Sequence, residues 1–435
     1  MPVSEAAGTA RLPLAGVRVL DLSDEAGVLA PRLLADLGAD VIRVEPLTGD
    51  LIRRRGPFLD GEAGLDRSLA HLLYNTGKRS LALALDTSEA WELLDRMLAA
   101  VDVVVAPLEK SQPARAFFDE RRLRLIHKRL SVVDVILRAV PHDPMDAAAG
   151  TGIIDGHEAV PAPIPAVIDM IGVAAGGLLY LNGFAEDPPN VPTGKLAYKQ
   201  TSLAAALAAM SLIMAARRTR RGGWITVNMQ EAVTWTTLQT ANENYWHWHH
   251  RRPGRTGKAG LGKAGSKSIF RCKDGLWISV AIHPPHWDRF ARWSAEVTGC
   301  RDLLGEEWLD PFYRYEQGAR IAELIDAIAS RLTRDAMLRQ GQSHGVLIGP
   351  VNGPADIAHD EQLRARGIFR EIYHPQFERE LTMVRPPFFS SAYEVPARPA
   401  PTLGQHSAQV LKELLSLDDA GIGRLVSAGI VHVPS

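Results

Sequence analysis

Apolar residues in the first third of the chain come in unbroken blocks rather than alternating one by one with polar ones. Residues 17–22 (VRVLDL) are β-branched and leucine-rich, 29–38 carry apolar positions at helical spacing up to Gly38, and 40–45 (DVIRVE) form a second extended run. Extended, helical, extended within about 30 residues is a β-α-β unit. The unit repeats: 80–85 (SLALAL) and 101–106 (VDVVVA) flank a helical stretch at 89–100, and a helix at 119–130 precedes 131–137 (SVVDVIL). Strands without polar alternation are covered on both faces, which predicts a Rossmann-like α/β domain with a parallel sheet between two helical layers. Ligands of such sheets sit beyond the carboxyl ends of the strands. Further along, the spacing predicts a helix over 203–216, a strand at 224–229, an aromatic-bearing helix at 230–250 and a hairpin turning at Lys273-Asp274-Gly275. Helices through 285–342, a strand at 346–351 and a closing amphipathic helix complete the pattern.

One stretch, 167–183, breaks the block pattern with a single carboxylate, Asp169, ahead of an apolar segment containing Gly172, Gly176 and Gly177. Asp before an apolar run is a common helix cap. Asp beside glycines also offers a poorly solvated carboxylate with room for a backbone or ligand to approach. Two basic clusters accompany turns: Arg43 with Arg53-Arg54-Arg55, and Asn75-Thr76-Gly77-Lys78-Arg79. Lys and Arg beside glycine turns suit phosphate oxygens, and they equally suit a solvated loop. After the first strand comes Ser23-Asp24-Glu25-Ala26-Gly27-Val28, which is not the G-x-G-x-x-G of dinucleotide sites. The run 257–266, with Gly260 and Gly262, reads as a lid or anion nest and lacks P-loop spacing.

Composition narrows the classes. The chain of 435 residues is long enough for two or more domains, and 46% hydrophobic residues supply a large core. A formal charge of -1 argues against general nucleic-acid or anionic-membrane binding. Two cysteines, Cys272 and Cys300, make neither a disulfide framework nor a multi-cysteine zinc site. No metal set is visible in the proline-rich stretch 138–168, which holds His142 and His157. Met1–Arg11 lacks a signal-peptide pattern and 203–216 is short for a span, so a soluble cytoplasmic protein without a metal is expected.

Five separated pieces occur together in one order: LADLGADVIRVEP at 34–46, NTGKRSLAL at 75–83, the Asp169 segment with glycines seven and eight residues on, GPVNGPADIAHDEQLRARG at 349–367, and APTLGQHSAQVLKELL at 400–415. Together they resemble the family III CoA-transferases, whose relatives include formyl-CoA transferase, carnitine CoA-transferase and the α-methylacyl-CoA racemases. The resemblance covers nearly the whole chain. It implies a large Rossmann-like domain built from both chain ends (1–222 and 341–435), a smaller α+β domain inserted at 223–340, and two subunits interlocked as a homodimer. It implies an acyl-CoA:carboxylate CoA-transferase using coenzyme A thioesters, with Asp169 as the catalytic aspartate. Arg43, Arg53, Lys78 and Arg79 fall in segments that contact CoA in the family, and the 257–266 loop falls where the family has a flexible active-site loop. Gly176, Gly177, Gly260 and Gly262 are the candidate oxyanion donors.

Two segments depart from the family pattern. Ala106-Pro107-Leu108-Glu109-Lys110-Ser111 replaces Glu-Asn-Phe-Arg-Pro-Gly, and Leu137–Pro144 stands where a Ser-Gly-Phe-Gly-x-x-Gly-Pro segment shapes the acyl site. They keep two other uses of the scaffold open. One is an α-methylacyl-CoA racemase, which needs a His such as His142 or His157 opposite Asp169. The other is a CoA-binding subunit without catalysis.

Overall fold

Residues 12–108, 117–136, 153–154, 157–158, 169–184, 186–237, 250, 255, 268–282 and 284–434 are described in the computed structural model of the chain. They divide into two units. The larger comprises Met1–Leu178, Pro192–Asn244 and Gly367–Ser435, the smaller Leu179–Val191 and Tyr245–Arg366.

In the larger unit the apolar blocks become β1 (Arg18–Asp21), β2 (Asp40–Pro46), β3 (Arg79–Leu83), β4 (Val103–Ala106) and β5 (Ser131–Ile136). A short pair, β6 (Ile153–Ile154) and β7 (His157–Glu158), stands apart from them. The seven-stranded sheet is completed by β8 (Trp224–Asn228) and, at the chain's end, β14 (Val431–His432). Its order is β14-β3-β2-β1-β4-β5-β8, parallel throughout except for β14 against β3. Strand order reverses between β1 and β4, so the loops leaving those two strands flank the crevice where doubly wound sheets take ligands.

The unbroken apolar strands are buried on both faces, as their pattern requires. In β4, Val104 and Ala106 pack with Leu94, Met97 and Val410, while Val103 and Val105 pack with Leu34, Ala205 and Ala209. The second layer includes a helix over Leu196–Thr219, 24 residues long. Sequence spacing predicts only 203–216. The helix starts earlier because Lys195 adopts a left-handed conformation (φ 54°) that turns the chain into it. By length and hydropathy it could cross a membrane. Here Ala205, Ala206, Ala208 and Ala209 form a side-chain-poor face that lies close on the sheet.

Beneath the carboxyl ends of β1 and β2 lies a buried ionic cluster. Asp21 ends β1 with no exposure, and its carboxylate takes Nη1 of Arg43 at 2.9 Å, Nζ of Lys78 at 2.8 Å, and both the amide (2.9 Å) and hydroxyl (2.6 Å) of Ser23. Arg43 also pairs with Asp50, and Arg53 forks onto Glu45 at 2.6 and 2.9 Å while reaching Asp66 at 2.5 Å. Burial pushes the Asp21 carboxyl up, but Arg43 and Lys78 outweigh it and hold the group below its ordinary value. Burial pulls the Lys78 ammonium down to about 8, against the attraction of Asp21, which leaves it charged at neutral pH. Both values are lowered, with opposite meaning: the shift favours the charged form of Asp21, which faces two cations, and disfavours that of Lys78, where burial outweighs its one carboxylate. His71 is buried beside Arg53, and burial together with that cation keeps its imidazole neutral.

The smaller unit holds the predicted hairpin. β9 (Ile269–Arg271) and β10 (Trp277–Ala281) pair antiparallel around Gly275, whose φ of 81° requires glycine. β11 (Leu347–Pro350) pairs with β10, placing Ile278 opposite Pro350. Helices Trp287–Thr298, Gly318–Ala329 and Arg334–Ser343 contribute to a core around Phe270, Ile278 and Trp293. The boundaries therefore differ from the sequence expectation of a small domain at 223–340. Trp224–Asn228 pairs with β5 in the large sheet, and 347–350 stays with the small one. The hairpin of β12 (Phe369–His374) and β13 (Arg379–Val384) lies in the larger unit.

Removing one member of a buried charge group strands the others, which costs about 3–5 kcal/mol. Asp21→Asn should lower the urea-unfolding free energy by about that amount. The folded-state pKa values of Asp21 and Asp50 lie below the ordinary 3.8, that of Asp50 at about 2. Their stabilisation is therefore complete above pH ~4 and is lost as pH falls through the folded-state values. The urea midpoint of the wild type should drop between pH ~4 and ~2 more steeply than that of Asp21→Asn. Parallel pH profiles would contradict the assignment.

Candidate active site

Asp169 begins the helix Asp169–Ala175. It caps a helix, but not its own. Its Oδ1 accepts the backbone N–H of Tyr198 at 2.9 Å, in the first turn of Leu196–Thr219. The first amides of a helix have no intrahelical partner, so the Asp169 oxygen satisfies a donor that the helix itself leaves open. The carboxylate is half-buried.

The long helix in turn is tied to the loop after β1, beside the crevice between β1 and β4. Ser202 Oγ donates to the carbonyl of Ala26 at 2.6 Å, and Lys195 and Arg55 both pair with Glu25. Lys195 Nζ lies 5.3 Å from the centre of the Tyr198 ring. Burial, then Glu25, Asp24 and Asp169, push the Tyr198 phenol up to about 12. Burial and Glu25 raise Tyr74 as well. Both phenols keep their protons at physiological pH and remain donors. A narrow cleft between Glu25, Tyr74, Tyr198 and Lys199 opens here.

The glycines after Asp169 serve close packing. A Cβ on Gly172 would sit 2.7 Å from the Met229 sulfur, and one on Gly176 would sit 2.4 Å from Val233 Cβ. They let Asp169–Ala175 lie against the helix at 229–237, whose Gln230 donates to Ala175 O at 3.2 Å. The amides offered as oxyanion donors have partners: Gly176 N donates to Gly172 O at 2.9 Å and Gly177 N to Ala174 O at 3.1 Å. Gly260, Gly262 and His142 lie outside the described residues, as does the side chain of His157.

Of the cations singled out from sequence, Arg43, Arg53, Lys78 and Arg79 meet carboxylates, while Arg54 and Arg55 are exposed. Arg43, Arg53 and Lys78 are 3%, 0% and 3% exposed and belong to the cluster under the strand ends. Arg79 forks onto Asp40 at 2.6 and 2.8 Å and reaches Glu413 at 2.7 Å. Sequence reasoning missed Glu25, Lys195 and Tyr198. The available signal was an acidic pair where a glycine fingerprint would stand, and two lysines at the head of an apolar helix. No group of three or more His, Cys, Asp or Glu side chains suited to a metal occurs among the described residues.

Asp169 thus stands at a helix N-terminus of the larger unit, whose sheet runs in the order 3-2-1-4-5. The family model of CoA-transferase family III matches residues 14–137 and 156–407. The chain belongs to CoA-transferase family III. Among its curated relatives, the succinyl-CoA:(R)-benzylsuccinate CoA-transferase subunit BbsE of Thauera aromatica is 27% identical, the match covering 91% of this chain and 93% of that protein. The succinyl-CoA–L-malate CoA-transferase alpha subunit of Chloroflexus aurantiacus is 29% identical, covering 98% and 94%. A solved CAIB/BAIF family protein from Brucella suis, 25% identical, superposes with a TM-score of 0.76 over 92% of this chain and 99% of its own. The large parallel sheet in a mixed α/β fold is thus common to the family III chain and this solved relative.

Overpacking a tight helix crossing costs about 1–3 kcal/mol. Gly176→Ala should lower the urea-unfolding free energy by that amount through its clash with Val233. Combining it with Val233→Ala should restore much of the loss. Additive effects in the pair would exclude the contact as the cause.

Proposed function

We propose that this family III member is an enzyme that moves CoA from an acyl-CoA donor to a carboxylic acid acceptor, with Asp169 as the nucleophile. One observation carries the reading: a half-buried carboxylate held on a helix N-terminus at the ligand-binding edge of the sheet. Ionised Asp169 attacks the thioester carbonyl of the donor, expelling CoA thiolate and forming a mixed anhydride. The thiolate attacks the aspartyl carbonyl of that anhydride, releasing the donor's acid and leaving an aspartyl-CoA thioester. The acceptor carboxylate attacks this thioester, and the two steps run in reverse to give the new acyl-CoA and free Asp169. The protonated phenol of Tyr198 and the cations Lys195 and Lys199 lie on the same edge, suited to charge developing on oxygen. The relatives' printed substrates, succinyl-CoA with malate or benzylsuccinate, support a dicarboxylate among the acids exchanged.

The phosphates of CoA need cations at the surface. In this reading Arg43, Arg53 and Lys78 fix the floor of the site, and the exposed Arg54, Arg55 and Lys199 meet the phosphates. A charge-assisted contact is worth roughly 1.5–3 kcal/mol, so Arg54→Ala with Lys199→Ala should weaken CoA in calorimetry by at least that much. An unchanged affinity would remove these residues from the contact set. The subunit acts in the cytoplasm as an interlocked dimer. Because two relatives are named as subunits of their enzymes, a second, different chain in that dimer is the alternative that native mass spectrometry decides.

Asp169→Ala and Asp169→Asn should keep CoA affinity within about tenfold and lose transfer by several orders of magnitude. Wild type mixed with succinyl-CoA should gain mass on the peptide bearing Asp169, and hydroxylamine should convert that residue to a hydroxamate. Near-normal turnover by Asp169→Ala would refute the covalent route. Rapid exchange of the α-proton of a 2-methylacyl-CoA in deuterated water, without transfer, would favour racemisation instead.

A further inference from the structure

At the end of the large sheet opposite Asp169, a cleft of about 180 Å³ opens between the amino ends of β1 and β5 and the last turn of Leu196–Thr219. Arg129, Arg217 and Arg220 line it from three directions in the chain: the entry to β5, the end of the helix, and the turn beyond it. All three are exposed, and none has a side-chain hydrogen bond or ion pair among the described residues. Val17 and Ile213 supply an apolar wall. The remaining charge is Asp102, whose Oδ2 accepts the Arg18 amide at 2.8 Å.

The floor of this cleft carries a second, independent observation. Ser131 is fully buried, lines the cleft, and its Oγ has no hydrogen-bond partner. Buried hydroxyls are nearly always satisfied, so an unpaired one on a residue that lines a cleft calls for a ligand atom. The site is also built rather than accidental. Arg220 ends the helix in a left-handed conformation (φ 60°), and a Cβ on the nearby Gly222 would sit 1.8 Å from Leu130 O, so the turn is clamped onto the start of β5.

Arginines at a helix C-terminus are commonly explained by the negative end of the helix. That accounts for Arg217. It does not account for Arg129, which comes from another element, nor for the unpaired hydroxyl of Ser131. About half a negative charge at the helix end, with Asp102, does not offset three guanidinium groups. We propose that this cleft binds a small phosphate-bearing anion, its oxygens met by the guanidinium groups of Arg129, Arg217 and Arg220 and by the hydroxyl of Ser131. Guanidinium forks match phosphate oxygens two at a time, and the hydroxyl supplies a donor from below. The site lies at the far end of the strands from Asp169, so it stands whether or not Asp169 is the nucleophile.

The test is calorimetric titration of the full chain, saturated with CoA to fill the other phosphate site, with inorganic phosphate and separately with glycerol 3-phosphate. Saturable binding of at least one probe is expected. The Arg129→Gln/Arg217→Gln pair should weaken it at least tenfold, and Ser131→Ala several-fold. Ser131→Ala should leave the melting temperature of the unliganded protein unchanged or higher, because it removes an unpaired buried hydroxyl. Binding of phosphate alone identifies the free ion, and tighter binding of the ester identifies a phosphorylated metabolite; either supports the site. No saturable binding of either probe, or binding that both variants leave intact, overturns the proposal.

Discussion

The carboxylate of Asp21 is the fixed point from which the working edge of the larger unit is built. It joins three chain segments that meet nowhere else in sequence: β1 itself, β2 through Arg43, and the turn before β3 through Lys78. From Arg43 the linkage runs to Asp50, and Asp50 Oδ1 accepts the Arg53 amide at 3.1 Å, so the long loop after β2 is held as well. Buried ion pairs add little net stability against well-packed apolar groups. Their effect here is to fix geometry. Ser23 is held by Asp21, and two residues on the same loop presents Glu25 to Lys195 and Arg55 and Ala26 to Ser202. The long helix is thereby set against the loop, and its first turn holds Asp169.

Much of this was legible in the sequence. Apolar blocks without polar alternation gave β1 to β5 and their double coverage, and Asp-Gly in 273–275 gave the β9–β10 hairpin. Asp169 stood out as a carboxylate in an apolar, glycine-spaced run. What a linear pattern hides is the partner. Arg43, Arg53 and Lys78 look like cations awaiting phosphate because Asp21, Glu45 and Asp66 lie 8 to 57 positions away and meet them only after the sheet assembles. Gly176 looked like space for a ligand, and the space is filled by Val233. The domain boundary was misplaced for a similar reason: an apolar strand such as 347–350 does not state which sheet it joins.

The two ends of the sheet also differ in how charge is managed. At the carboxyl edge Arg43, Arg53 and Lys78 are buried and matched by carboxylates, which makes the geometry firm. At the amino edge Arg129, Arg217 and Arg220 stand exposed and unmatched among the described residues. A net charge of -1 for the whole chain conceals this separation.

The hydrogen bond from Tyr198 N makes Asp169 a structural cap, and the proposed mechanism makes the same side chain the nucleophile. On the proposed mechanism, each acylation turns that anionic cap into a neutral ester-like one. A charged cap at a helix N-terminus is favoured over a neutral one by roughly 0.3–1 kcal/mol. The fold therefore leans toward the free carboxylate. On that mechanism the helix terminus biases the covalent adducts toward discharge by no more than this amount.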